Sequence, residues 1–151
     1  TSDDEFILII ADKLKSYAIS EGYNDYDTAN FVLRFIQTNI VYDSDNNSKC
    51  KNEYWRFPLE TLVEKTGDCE DSAILYASIM DAIGYENALL FYVLEDDIGH
   101  LAVGISLEGN HGEYEEYNGI KYYYCETTNY LYDIGEKPED INVDPDEIIP
   151  I

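Results

Sequence analysis

The sequence predicts an α+β fold in which N-terminal helices and a buried central helix pack on an antiparallel sheet, and three observations carry that prediction. Apolar residues recur at helical spacing up to Gly84. The period then changes to two, as in strands. Asn118-Gly119 separates Tyr114-Glu115-Glu116-Tyr117 from Ile120-Lys121-Tyr122-Tyr123-Tyr124, a strong hairpin signal. Helices first and antiparallel strands second is the α+β order, and 151 residues suit a single domain.

Residues 4 to 19 place Phe6, Ile9, Ile10, Leu14 and Tyr17 on one helical stripe, with Ser2 or Asp3 as the cap. Asp27 or Thr28 opens a second helix that buries Phe31, Val32, Phe35, Ile36 and Ile40. From Asp43 to Glu53 small polar residues without apolar period mark a loop. Pro58 suits the first turn of a short helix through Glu60, Leu62 and Val63 that ends near Gly67. Asp68 caps a helix beginning at Cys69 and stopping at Gly84; its run of Ala73, Ile74, Leu75, Tyr76, Ala77, Ile79, Met80, Ala82 and Ile83 leaves almost no polar face, so it belongs at the centre. Ala88 to Leu94 forms one strand. In the next, Leu101, Val103, Ile105 and Leu107 alternate with Ala102, Gly104 and Ser106. The acidic tail, about Glu136 to Glu147, reads as a solvated extension.

Acidic residues outnumber basic ones by 32 to 9, a net charge of -23. A phosphate backbone or an anionic lipid surface is therefore repelled, which argues against nucleic acid as a partner. Such a surface suits salty or crowded surroundings, in an extracellular or cell-surface setting, and a cationic or cell-wall-derived substrate is the sharper expectation. No apolar run approaches the ~18 to 20 residues of a membrane span. The chain begins at Thr1 rather than Met, as an excised domain or processed product would. Three cysteines are too few for a disulfide framework and leave at least one thiol over. Cys50 and Cys125 are expected to be free rather than paired.

Catalytic chemistry is best carried by that leftover thiol. A helix N-terminus stabilises a thiolate through its free N–H groups and dipole, and Cys69 occupies such a place. Its own backbone N–H is a candidate oxyanion donor. There are two histidines. His111 lies in a Gly- and Asn-rich turn and reads as a solvated loop residue. His100 starts a strand expected beside the central helix, on the face it shares with Ala102 and Gly104, where small neighbours leave room for an imidazole and a substrate chain. Glu126 ends the next strand on the face of Tyr122 and Tyr124, while Cys125 points the other way as a packed apolar residue. A carboxylate there would fix the imidazole tautomer. The 15 tyrosines, those at 114 to 117 and 122 to 124 above all, are candidates to line a substrate groove.

Gly67-Asp68-Cys69-Glu70-Asp71-Ser72-Ala73, Gly99-His100-Leu101-Ala102-Val103-Gly104 and Tyr124-Cys125-Glu126-Thr127-Thr128 together resemble the three-block core of the transglutaminase-like superfamily. Phe57-Pro58-Leu59-Glu60-Thr61-Leu62 is similar to a version found in archaeal members. The resemblance spans about residues 25 to 135. It implies a papain-like fold, a Cys-His-Asp triad in that chain order, and acyl transfer through a thioester to water or an amine. The departure is Glu126, where many members carry Asp. The resemblance also implies an aromatic near the oxyanion, for which Trp55 or Tyr54 qualifies; Tyr124 is a further substrate-side candidate. The expected activity is a thiol-dependent peptide, isopeptide or amide hydrolase, with protein-glutamine amine transfer or a non-catalytic binding domain as alternatives. The chemistry calls for no cofactor and no metal, and the expected partner is a peptide or protein substrate.

Overall fold

The computed structural model describes residues 3–42 and 57–151. Among the described residues, four α-helices precede a five-stranded sheet. They are α1 (Glu5–Glu21), α2 (Asp25–Asn39), α3 (Pro58–Glu64) and α4 (Cys69–Ile83), with the two-residue strands β1 (Val41–Tyr42) and β2 (Thr66–Gly67) pairing in parallel beside them. The sheet follows as β3 (Asn87–Leu94), β4 (Ile98–Ile105), β5 (Tyr114–Tyr117), β6 (Ile120–Cys125) and β7 (Glu147–Pro150), in the spatial order β5-β6-β4-β3-β7, antiparallel throughout. The predicted hairpin is β5–β6. Its turn places Asn118 and Gly119 at φ 52° and 82°, the left-handed pair that a two-residue hairpin requires.

Helix α4 is the hub, packed on the other three helices and on β3 and β4. Its Leu75, Tyr76, Ile79 and Met80 are fully buried, each large apolar side chain contributing about 1.5–3 kcal/mol. Asp68 caps it and Gly84 stops it in the left-handed region, both as the sequence predicts.

Helix α1 buries Leu14 as predicted and packs Ile10 against the core, but the rest of its buried stripe differs from the predicted one. Ile7, Ala11, Leu14 and Ala18 face inward, whereas Phe6, Ile9 and Tyr17 are exposed. Two apolar stripes compete on this helix, and the one containing two alanines wins because small side chains let α1 lie close against α4. Tyr17 instead stacks on Phe31, centroids 5.2 Å apart. The cap is Asp4 rather than Ser2 or Asp3, and α2 starts two residues early at Asp25, capped by Asn24.

The inner strands β3, β4 and β6 are covered on both faces, while the edge strands β5 and β7 stay largely exposed. Leu101, Val103, Ile105, Tyr123 and Cys125 join the helices. Leu90, Tyr92, Ala102 and Tyr124 form a second core with Ile141. The acidic tail keeps Glu136, Glu139, Asp140, Asp144, Asp146 and Glu147 in solvent as expected, but it is no free extension, because residues 136–150 pack along this outer face. β7 pairs with β3, Asp146 accepts from the Val93 N–H at 2.7 Å, and the Lys137 ammonium sits 4.7 Å above the Tyr92 ring while donating to Glu115. The space above Gly104, expected to hold substrate, is filled: a Cβ there would lie 2.6 Å from Cβ of Tyr122. Tyr122, Tyr123 and Tyr124 are all buried, so they fill core rather than line a groove.

Candidate active site

The thiol is positioned by local chemistry at the start of α4. Gly67 has no room for a side chain, since a Cβ would stand 2.8 Å from Cβ of Asp71, and so the first helical turn lies close on β2. Asp68 then accepts from the N–H groups of Glu70 and Asp71 at 3.0 and 3.1 Å, and Asp71 reaches back to the Asp68 N–H. Cys69 is the first helical residue and is half-buried. Its backbone N–H has no acceptor within the helix.

His100 comes from β4, opposite Tyr92 of β3. β6 accompanies β4 only over Val103–Ile105, so no β6 residue pairs with the His100 stretch. Beyond the last pair the chain after β6 delivers Glu126, 2 % exposed, whose Oε2 lies 3.2 Å from Nε2 of His100. The hydroxyl of Tyr124 donates to the same Oε2 at 2.9 Å and stands 3.2 Å from Nε2. The other carboxylate oxygen accepts from Thr128, at 3.2 Å from its N–H and 2.7 Å from its hydroxyl. Four donors thus surround one buried carboxylate.

The electrostatics follow from these contacts. Burial opposes the charged form of both groups. For His100 it is outweighed by hydrogen bonding to Cys69 and Glu126 and by the charge of both, which push its pKa up to about 9. For Glu126 it is outweighed by the bond to His100, the imidazolium charge and the Thr128 bonds, which hold the carboxyl below its ordinary value. Burial and the Glu126 charge raise Tyr124, keeping its hydroxyl protonated. Cys69 and Glu126, widely separated in sequence, thus both act on the His100 ring.

The remaining predicted site residues fare differently. Tyr124 is fully buried with its hydroxyl spent on Glu126, so it offers no surface to a substrate. Trp55 and Tyr54 lie outside the described residues, as do Cys50 and the polar loop from Asp43. Cys125 is buried and free, its thiol pushed up by burial. His111 is stacked rather than solvated: its ring lies 4.6 Å from Tyr26 and edge-on to Tyr123, and Nε2 donates to the Glu108 carbonyl. It fastens the β4–β5 loop to Tyr26 of α2 and Tyr123 of β6.

One set of residues escaped the sequence reading. Asn30, Arg34 and Gln37 recur along one side of α2 and hold the segment that follows Glu126. Gln37 donates to the carbonyls of Glu126 and Tyr132 at 2.7 and 3.0 Å, Arg34 pairs with Asp133, and Asn30 bonds Asp133 and the Ile134 N–H. The available signal was Gln37 itself, a polar residue next to the buried stripe of Val32, Leu33 and Ile36.

A helix-borne thiol beside a strand-borne imidazole, backed by a carboxylate, is the arrangement of the transglutaminase-like and cysteine-protease-like folds. Residues 9–112 match the transglutaminase-like domain family, and the chain belongs to it. That match contains Cys69 and His100 and ends before Glu126. The chain is 27% identical over 121 residues to the UPF0252 protein of Archaeoglobus fulgidus, covering 70% of this chain but only 37% of that protein. A solved TGase superposes with a TM-score of 0.58 at 11% identity, over 88% of this chain and 34% of the other. A proposed cysteine protease of Cytophaga hutchinsonii superposes with a TM-score of 0.52 at 20% identity, over 82% and 40%. At these identities the structural likeness is one of fold.

Proposed function

We propose that this domain is a thiol-dependent hydrolase of peptide, isopeptide or related amide bonds, with Cys69 as nucleophile, His100 as proton carrier and Glu126 as the group that orients the ring. The observation that supports the reading is the engagement of His100: Nε2 faces a buried carboxylate while Cys69 acts on the same ring, and we assign the free Nδ1 to the thiol. An imidazole pushed up to about 9 holds its proton at neutral pH, which suits a thiolate–imidazolium pair.

In the first half-reaction the Cys69 sulfur attacks the carbonyl carbon, and the oxyanion meets the Cys69 N–H. His100 gives its proton to the leaving nitrogen, the C–N bond breaks and a thioester remains. Water then loses a proton to His100 and attacks the thioester. The C–S bond breaks, releasing the acid and restoring the pair. An amine in place of that water would yield a new amide, the transferase outcome. The charge of -23 favours a cationic peptide as substrate.

The test is mass spectrometry of products from a basic peptide library, with and without an added primary amine, for the wild type and Cys69→Ala. Hydrolysis products lost in Cys69→Ala support the hydrolase. Amine-containing products alone replace it with the transferase. Iodoacetamide labelling at neutral pH completes the design: a Cys69 that reacts no faster than Cys50, without dependence on His100, makes the domain a binding module.

A further inference from the structure

Glu126 carries one methylene more than the aspartate usual in the family, and with it one more rotatable bond. A longer orienting side chain wanders unless both of its oxygens are held. Thr128 holds Oε1 with two donors. Among the described residues, Tyr124 alone shares the holding of Oε2 with His100 itself, at 2.9 Å, while lying 3.2 Å from Nε2. The three atoms form a closed triangle. The hydroxyl donates to the carboxylate, and its lone pair faces the Nε2–H.

Tyr124 is itself immobilised. It is fully buried, its ring meets Tyr92 edge-on at 6.1 Å, and the Lys137 ammonium lies 5.8 Å from its centroid. Tyr92 is in turn fixed by a 3.1 Å bond to Glu115, which also holds Lys137. A structural tyrosine needs only to fill this space. A hydroxyl aimed at the oxygen that engages the histidine does more.

We infer that Tyr124 is a positioning residue, whose buried hydroxyl fixes the longer side chain of Glu126 against Nε2 of His100 and so lets a glutamate take the orienting place. The inference rests on the proposed triad. It says nothing of substrate, since Tyr124 reaches none.

The experiment is a double-mutant cycle of Tyr124→Phe and Glu126→Asp. Two quantities are followed against pH, the rate at which iodoacetamide alkylates Cys69 and the nitrogen resonances of the His100 ring. Among the described residues, the groups that face this ring are Cys69 of α4, Tyr92 of β3, and Tyr124 with Glu126. Tyr124→Phe keeps the ring and its packing. It is expected to slow alkylation at neutral pH about tenfold and to move the His100 midpoint from about 9 towards 6.5. In Glu126→Asp, whose shorter carboxylate withdraws from the hydroxyl, the same substitution is expected to change the rate less than about twofold.

An unchanged His100 midpoint in Tyr124→Phe, or an equal effect in both backgrounds, overturns the inference. Should Tyr124→Phe not fold, the wild type decides: a slowly exchanging Tyr124 hydroxyl proton with a nuclear Overhauser effect to the Nε2 proton supports it, and absence of that contact overturns it. A sluggish wild-type Cys69 would instead sink the hydrolase, while the His100 midpoint still reports on Tyr124.

Discussion

Gln37 and Glu126 stand 89 positions apart, and the side-chain amide of the first donates to the backbone carbonyl of the second at 2.7 Å. The same nitrogen bonds the Tyr132 carbonyl at 3.0 Å, so one α2 side chain ties together both ends of the segment leaving the site. Gln37→Leu strands both carbonyls. It is expected to cost about 2 kcal/mol, a fall in Tm of about 5 °C. It should also slow Cys69 alkylation, because the backbone that carries Glu126 loses its anchor. Calorimetry and iodoacetamide kinetics on one preparation check both.

His100→Asn removes the proton carrier while leaving the helix start intact. Turnover of a cleaved peptide should fall about a thousandfold or more, as in other triads. Glu126→Gln, which keeps shape and loses charge, is expected to fall less, about a hundredfold. Single-turnover measurements of thioester formation separate the two, and equal rates for wild type and His100→Asn would remove the triad.

Raised and lowered pKa values act in opposite pH windows. His100, pushed up to about 9, favours the fold through its imidazolium; that contribution is complete below the ordinary value of 6.5 and is lost as pH rises through about 9. Glu126 is lowered, so its contribution is present above the ordinary carboxylate range and disappears as pH falls through its lowered value. Urea midpoints should therefore sag at both ends of the pH scale. His100→Asn should flatten the alkaline sag, and the alkaline limb of kcat should lie near pH 9.

Gly104→Ala tests the close approach of β6 to β4. The added carbon would lie 2.6 Å from Cβ of Tyr122 and 3.2 Å from Cδ1 of Leu90, both core atoms. A loss of about 1–3 kcal/mol is expected, read as a shifted denaturation midpoint.

Much of this arrangement was legible in sequence where local chemistry is self-sufficient. Asp68, Cys69 and Gly84 announce their helix because cap, thiol and stop belong to one element, and strand parity alone sends Glu126 and Cys125 to opposite faces. What escaped depends on distant partners. The buried stripe of α1 was decided by its fit to α4 rather than by hydrophobicity. The even-numbered face of β4 looked open because nothing in its own residues says that Ile141 and Tyr124 will cover it. Tyr124 read as groove surface for the same reason: a tyrosine pattern does not reveal which ring will find a carboxylate.

The seating of β7 along β3 has a consequence for synthesis. Until residues 147–150 emerge, the side of β3 that pairs with β7 over residues 88–91 has no strand beside it, although the helices and β4 on its other side are already available. A chain cut before residue 147 is therefore expected to expose an unpaired sheet edge, the kind of surface to which a strand of a second molecule can add. Within the folded domain β7 closes that side of β3 and itself becomes the edge of the sheet.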